Sequence, residues 1–121
     1  MKSYRDLEIY QLSYQLAINV HKMSLTLPKY ELYEQGSQIR RSSKSIKDNI
    51  IEGYGRKRYK QEFIKFLVYA QSSCDETIGH LEMISDLHFS ENPLTEFIEN
   101  YHTLGKKINV FIQYVEENWK S

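Results

Sequence analysis

The sequence predicts an all-α protein, an up-down-up-down antiparallel four-helix bundle that fills a single domain, residues 1–121. Turn-forming residues are scarce, with five glycines and two prolines, which favours a few long helices over many short strands. Apolar residues recur at steps of three and four in four long segments, and no segment alternates as a strand would. The connections between these segments are short, so neighbouring helices should run antiparallel.

The first two helices are predicted on either side of Pro28, which no helix can continue through. Helix 1 runs from about residue 6 to residue 26, and helix 2 from about residue 33 to residue 52. The apolar stripe of helix 1 is Ile9, Leu12, Leu16, Val20, Met23 and Leu27, and the thinner stripe of helix 2 is Ile39, Ile46 and Ile50. Small residues in helix 2 should let another helix approach closely; they are Ser42, Ser43 and Ser45. Gly53 and Gly55 are expected to end helix 2 in a left-handed turn.

Helices 3 and 4 carry the longest apolar stripes. Helix 3 is predicted from about residue 59 to residue 87, with the stripe Phe63, Phe66, Leu67, Ala70, Cys74, Thr77, Leu81 and Ile84. Asn92 should cap helix 4, with Pro93 at its first position. The stripe of helix 4 is Leu94, Phe97, Tyr101, Leu104, Ile108, Phe111 and Val115, which has the spacing of a bundle seam.

Composition excludes several classes of protein. Cys74 is the only cysteine, so neither an internal disulfide nor a cysteine-rich zinc site can form. The charged N-terminal segment does not resemble a signal peptide, and the longest apolar run, residues 66–70, is far too short to span a membrane. We therefore expect a cytoplasmic protein without a membrane partner.

Charge is segregated along a chain whose formal net charge is zero. Residues 40–65 contain nine Lys or Arg and three Asp or Glu, a net charge of +6, whereas residues 75–99 contain seven acidic residues and no Lys or Arg. Arg40, Lys44 and Lys47 share one helical face because they recur at steps of four and three. Cations that follow the end of helix 2 complement its macrodipole.

This basic segment predicts a surface that binds the phosphates of RNA or DNA. The candidate contacts are Arg40, Arg41, Lys44, Lys47, Arg56, Lys57, Arg58 and Lys60. Tyr54 and Tyr59 are candidate stacking platforms beside them. Two other interpretations stay open. The cations can form a solvated face, or they can meet the acidic surface of another copy or of a partner protein, which would make the chain an interaction scaffold.

Polar residues on the inner sides of helices 2 and 3 predict a structural network that fixes the register of the two helices. Its members are Ser45, Asn49, Glu52, Ser73 and Glu76. An enzyme that uses Glu52 and Glu76 as acid and base, or as metal ligands, is the alternative. Neither glutamate is followed by the histidine of a di-iron motif, so we expect no enzyme, no catalytic residue, no metal and no cofactor.

These residues also carry a resemblance to a known family. The residues of helix 2 that carry it are Gln38-Ile39-Arg40-Arg41, Ser45-Ile46, Asn49-Ile50, Glu52-Gly53 and Gly55-Arg56. Those of helix 3 are Phe63 to Phe66, Ala70, Ser73 and Glu76, and Leu7 to Ala17 with Tyr10-Gln11 fit as well. Together they resemble the bacterial four-helix-bundle proteins called 23S rRNA-intervening-sequence proteins. The chain departs from that pattern at Ser42, Lys47 and Ser72, where the family usually has Ala, Pro and Gly.

The resemblance implies a bundle that assembles as a ring, typically a homopentamer, with no known enzyme activity. Some relatives are encoded inside insertions of the large ribosomal RNA gene. A related group, the accessory variability determinants of diversity-generating retroelements, binds nucleic acid and a reverse transcriptase through a basic surface. The partners that the resemblance implies are therefore further copies of the chain, RNA or DNA, and a reverse transcriptase or other protein.

Overall fold

The fold was analysed in a computed structural model that describes residues 2–120, so the two end residues of the predicted domain, Met1 and Ser121, lie outside it. The four helices are α1 (Glu8–Ser24), α2 (Gln35–Gly55), α3 (Lys60–His88) and α4 (Thr95–Asn118). Single 3₁₀ turns, Tyr4–Asp6 and Lys29–Tyr33, precede α1 and α2. No strand occurs within residues 2–120, which confirms the all-α prediction.

Contacts between the helices show that each runs antiparallel to its neighbour. Moving forward along α2, Ser42 meets Thr77 and Ser45 meets Ser73, so α3 runs in the opposite direction. The Cys74 thiol donates to the Tyr101 carbonyl, and the Lys60 ammonium donates to the Glu116 carbonyl, which fixes α4 against α3. An ion pair between Lys107 and Glu8 joins α4 to α1 and closes the bundle.

The predicted stripes form the core, with small differences at its edges. Leu12, Phe66, Phe97 and Phe111 are only half-buried, whereas Ile112, which lies outside the predicted stripe, is buried. Cys74 is fully buried, as predicted, and burial raises the pKa of its thiol to about 12, so the thiol stays protonated at neutral pH.

The left-handed turn predicted for Gly53 and Gly55 is wrong, and Gly53 does not end the helix. The helix continues to Gly55, and no glycine within residues 2–120 has a positive φ. A Cβ atom placed on Gly53 would lie 3.1 Å from the Cβ atom of Phe66 and 3.2 Å from the carbonyl oxygen of Phe63. Gly53 is therefore a contact point at which α2 and α3 approach closely, which is the second common use of glycine.

The predicted cap of α4 is also wrong. Asn92 lies in an exposed turn and its backbone N–H donates to the Phe89 carbonyl, while α4 begins only at Thr95. The buried hydroxyl of Ser85 instead accepts from the backbone N–H of Leu94, just before the helix begins. A tertiary contact from α3 thus replaces the local cap that the Asn-Pro pair predicted.

A buried polar pair joins the α1–α2 connection to the end of α3. The Nε2 atom of His88 lies 2.6 Å from a carboxylate oxygen of Glu31, whose side chain is almost fully buried. The pair brings the 3₁₀ turn Lys29–Tyr33 onto α3. As for membranes, no helix in the described part of the chain is long and apolar enough to cross one.

Candidate nucleic-acid interface

The predicted basic residues fall into two groups in the structure. Four lie on α2 and face α1 or the outside of the bundle: Arg40, Arg41, Lys44 and Lys47. The other four surround the α2–α3 connection, which we call the basic loop: Arg56, Lys57, Arg58 and Lys60. Lys47 lies eight residues before the last residue of α2, a rise of about 12 Å, so the two groups are neighbours rather than one continuous cluster.

Arg40 is held by the protein itself. Its guanidinium donates to the hydroxyl of Ser24 at 2.9 Å and to the carbonyl of Leu32 at 2.6 Å. These bonds tie α2 to the end of α1 and to the turn that follows it. Arg40 therefore has a structural role, and its predicted contact with phosphate would compete with these two bonds.

The remaining cations on α2 are more accessible. Arg41 and Lys44 are exposed, and neither forms an ion pair within residues 2–120. Lys47 is half-buried, and its ammonium lies 2.6 Å from the carboxylate of the adjacent Asp48. Arg41 and Lys44 are thus the cations of α2 that are most available to an external anion.

In the basic loop, cations lie against aromatic rings. The guanidinium carbon of Arg56 lies 4.8 Å from the centre of the Phe66 ring, and Arg56 also pairs with Glu62 at 3.2 Å. The Lys57 ammonium lies 4.0 Å over the Tyr54 ring. Such cation–π contacts hold a side chain in place while its charge stays near solvent.

The two tyrosines predicted as stacking platforms differ in the structure. Tyr59 is 62% exposed, whereas Tyr54 is only 8% exposed and packs edge-on against the core ring of Phe63. Tyr54 therefore has no free face, and that part of the prediction is wrong. The loop is fixed from the other side by Trp119, whose indole N–H donates to the carbonyl of Lys57 at 2.8 Å.

A groove of about 420 Å³, which we call the α1–α2 groove, lies where the α2 cations face α1. It is lined by Tyr14, Ala17, Ile18, His21, Lys22, Lys44 and Lys47. Its walls combine an apolar strip from α1 with ammonium groups from both helices. The residues that line it include no carboxylate, so its charge is positive.

His21 is the titratable group of this groove. Partial burial, followed by repulsion from Lys44 and Arg40, lowers its pKa below the ordinary value for histidine. The imidazole is therefore mostly neutral at pH 7, and the ammonium groups carry the positive charge of the groove. A phosphate bound there would favour the protonated imidazole.

The polar residues between α2 and α3 form a narrower network than predicted. The hydroxyl groups of Ser45 and Ser73 lie 3.0 Å apart, and the Asn49 amide donates to both the hydroxyl and the carbonyl of Ser45. The Thr77 hydroxyl contacts that of Ser42 at 2.9 Å and donates to the carbonyl of Ser73. We call this set, with Gly53, the α2–α3 seam.

The structure places Glu52 and Glu76 outside this seam. Glu52 is exposed and lies 3.8 Å from Arg56, and Glu76 is exposed and lies 3.3 Å from His80. Gly53 packs on Phe66, and Glu76 is ten residues beyond Phe66 on α3, a distance of about 15 Å. The two carboxylates therefore cannot act together on one substrate within a single chain. Among residues 2–120, no three His, Cys, Asp or Glu side chains are grouped so that they could hold a metal ion.

Acidic residues lie on the second half of α3, in the α3–α4 connection and on the first turns of α4. All seven are exposed: Asp75, Glu76, Glu82, Asp86, Glu91, Glu96 and Glu99. The charge segregation of the sequence is therefore also a segregation of surfaces. Basic side chains concentrate on α2 and the basic loop, and acidic ones on the second half of α3, the α3–α4 connection and the first turns of α4.

Sequence reasoning missed the residues that α1 contributes to the groove. Tyr14, Ile18 and Lys22, which line the groove, recur at steps of four and form a second stripe beside the apolar one. This spacing shows that they share a face. The spacing does not show which helix packs beside that face. Only the fold shows that this helix is α2, which carries the cations.

Fold and surface together define a helical-bundle protein with a segregated charge and a cation-lined groove. Comparison with known families places it more narrowly. The family model described as 23S rRNA-intervening sequence protein matches residues 5–110, and the chain belongs to this family. A search among curated protein sequences found no match.

Proposed function

We propose that this protein is a non-enzymatic, homo-oligomeric bundle that binds RNA or DNA through the basic residues of α2 and the basic loop. The observation that carries the proposal is the placement of these cations. Arg41, Lys44, Arg56 and Arg58 are exposed on a chain with no net charge, and Arg41, Lys44 and Arg58 form no ion pair within residues 2–120. Phosphate contacts with such cations supply sequence-independent affinity for nucleic acid.

Assembly would strengthen this binding. The family resemblance implies a ring of five copies, and a ring would present the basic surface several times around one axis. Linked sites can raise overall affinity about 10²- to 10⁴-fold without a new contact. Native mass spectrometry tests the assembly directly, since a pentamer has five times the 14.5 kDa mass of the chain.

The binding test is a salt titration with a labelled structured RNA. In the variant Arg41→Gln/Lys44→Gln/Arg58→Gln, the slope of log affinity against log salt should fall in magnitude by about 2 to 3, because each phosphate contact contributes about 0.7 to 0.9. The matched control is Lys2→Gln/Lys29→Gln/Lys106→Gln, which removes three exposed lysines outside the surface. The control should keep the wild-type slope. If the wild type fails to bind RNA or DNA at about 50 mM salt, the proposed function is wrong.

A second candidate function is a protein–protein scaffold. It is favoured by the exposed acidic surface and by a groove of about 590 Å³ between α1 and α4, where Val110 and Tyr114 expose apolar surface. Charge reversal at Arg56, Lys57 and Arg58 separates the two functions. If the oligomer dissociates while RNA affinity stays the same, the scaffold is the better explanation.

A further inference from the structure

We propose that the α1–α2 groove binds an unstacked nucleotide of a single-stranded RNA or DNA, with the base against Tyr14 and Ile18 and the phosphate between Lys44 and Lys22. The inference rests on the proposed function and sharpens it, because it names the form of nucleic acid and the place of a base contact. Three features of the groove support this ligand: its chemistry, the rings that lead to it and its charge.

The groove has the size and the two-sided chemistry that a nucleotide requires. Its volume of about 420 Å³ lies within the usual range for small-molecule sites, about 300 to 1,000 Å³. Ala17 and Ile18 supply apolar surface, and Tyr14, which is 46% exposed, supplies an accessible aromatic ring. Ammonium groups of Lys22 and Lys44 stand on opposite sides, so a base and its phosphate can be bound together.

Further aromatic rings continue from the groove along α1. The ring centroids of Tyr10 and Tyr14 are 5.8 Å apart, and those of Tyr4 and Tyr10 are 4.9 Å apart. The guanidinium carbon of Arg5 lies 4.6 Å from the centre of the Tyr4 ring. A second depression, to which Arg5, Tyr10 and Tyr14 contribute, adjoins the groove at Tyr14. Cations thus stand at both ends of a row of aromatic rings.

This row of rings and cations, which we call the track, offers one accessible ring, that of Tyr14, because Tyr4 and Tyr10 are half-buried and pack edge to face. Proteins that bind single strands combine a cationic path for the backbone with aromatic side chains on which successive bases stack. The part of the track that lies on α1, from Tyr10 to Lys22, extends about 18 Å along the helix. A duplex hides the faces of its bases, so it can use the cations of the track but not its rings.

Charge argues against the main competing occupants. A second copy placed by two-fold symmetry would bring its own Lys44 and Lys47 against the same residues, and such like charges repel. The acidic surface of another copy would pair with the ammonium groups. It would not supply the flat ring that stacks on the exposed face of Tyr14. The base and phosphate of a nucleotide match both features, which is why we favour this ligand.

The test measures the affinity of Tyr14→Ala for a labelled single strand of about twelve nucleotides and for the same strand paired with its complement. Loss of the stacking ring should weaken single-strand binding about 5- to 150-fold and should change neither duplex affinity nor the salt slope. The control is Tyr33→Ala, which removes an 83% exposed tyrosine outside the groove and should leave both affinities unchanged. Lys44→Gln should weaken both ligands and reduce the magnitude of the slope by about 0.7 to 0.9.

The outcomes separate this inference from the proposed function. If the wild type binds neither ligand at low salt, both fall. If it binds both ligands but Tyr14→Ala behaves like Tyr33→Ala, the groove does not bind a base, while the proposed function stands. If Tyr14→Ala lowers the oligomer mass and leaves affinity unchanged, a second copy covers the groove and the inference is wrong. Circular dichroism during melting verifies that each variant is folded.

Discussion

The two sides of α2 differ in how closely they meet their neighbours. At the α2–α3 seam, Gly53 and small hydroxyl side chains let the helices touch, and polar groups such as those of Ser42 and Thr77 find partners across the contact. On the other side, Lys44 and Lys47 flank α1 and leave a groove. The length of the side chain at the edge of a helix contact therefore decides whether the space closes or stays open to a ligand.

The largest expected effect comes from adding bulk to the closed side. Ser42→Leu should lower the free energy of unfolding by about 3 kcal/mol, because Ser42 is 3% exposed and the extra methyl groups have no space. The same new side chain on the open side, Lys44→Leu, should change stability by no more than about 0.5 kcal/mol. Urea denaturation measures both. Equal losses would mean that the two sides of α2 are not different in packing.

The glycines offer a second and smaller test. Gly53→Ala should destabilise by about 1 kcal/mol, since the gain in helix propensity is outweighed by contact with the Phe66 Cβ atom and the Phe63 carbonyl. Gly79→Ala, in α3, should stabilise by about 0.5 to 1 kcal/mol, because nothing lies within 4 Å of the new methyl group. Thermal melting of the two variants gives opposite shifts on this account. A stabilising Gly53→Ala would show that α2 and α3 can separate at low cost.

The smallest expected effect concerns pH and the open groove. The pKa of His21 is lowered by burial and by nearby Lys44 and Arg40, and Lys22 and Lys47 also line the groove. Bound phosphate should raise that pKa, so affinity for the single strand should increase about 2- to 5-fold between about pH 7.5 and about pH 5.5. In His21→Gln this increase should disappear. An increase of the same size in both proteins would assign the effect to another group.

The lowered pKa of His21 has the opposite effect on the stability of the free protein, which decreases as the pH falls. Because the folded protein holds the pKa of His21 below its unfolded value, the unfolded chain binds the proton more readily. The contribution of His21 to stability is therefore present above the ordinary histidine pKa and is lost as pH falls below it. Acid thus slightly lowers the free energy of unfolding of the free protein in the same pH range in which its affinity for the single strand increases.

The sequence predicted what depends on periodicity and missed what depends on which helices are neighbours. The four stripes are predictable because buried residues such as Ile46 and Leu104 recur with the period of a helix. This period is the same whichever helix packs against them. Gly53 was misread because its role depends on Phe66 of α3. Asn92 was misread because Ser85, from the preceding helix, bonds the N–H just before α4 begins.

The site shows the same division. The surplus of cations on α2 could be read from composition, but the engagement of Arg40 by Ser24 and Leu32 could not, since it needs the turn after α1 in place. The burial of Tyr54 depends on Phe63, which is nine residues away along the chain. In each case a local motif has a role that a distant element decides.

Trp119 gives this protein a built-in optical probe. It is the only tryptophan of the chain, its indole packs edge-on against Phe63 at 5.2 Å, and its N–H bonds the carbonyl of Lys57 in the basic loop. Its emission should therefore respond to rearrangement of that loop. The α1–α2 groove lies on other helices, so a change in tryptophan emission on ligand binding would assign a contact to the basic loop rather than to the groove.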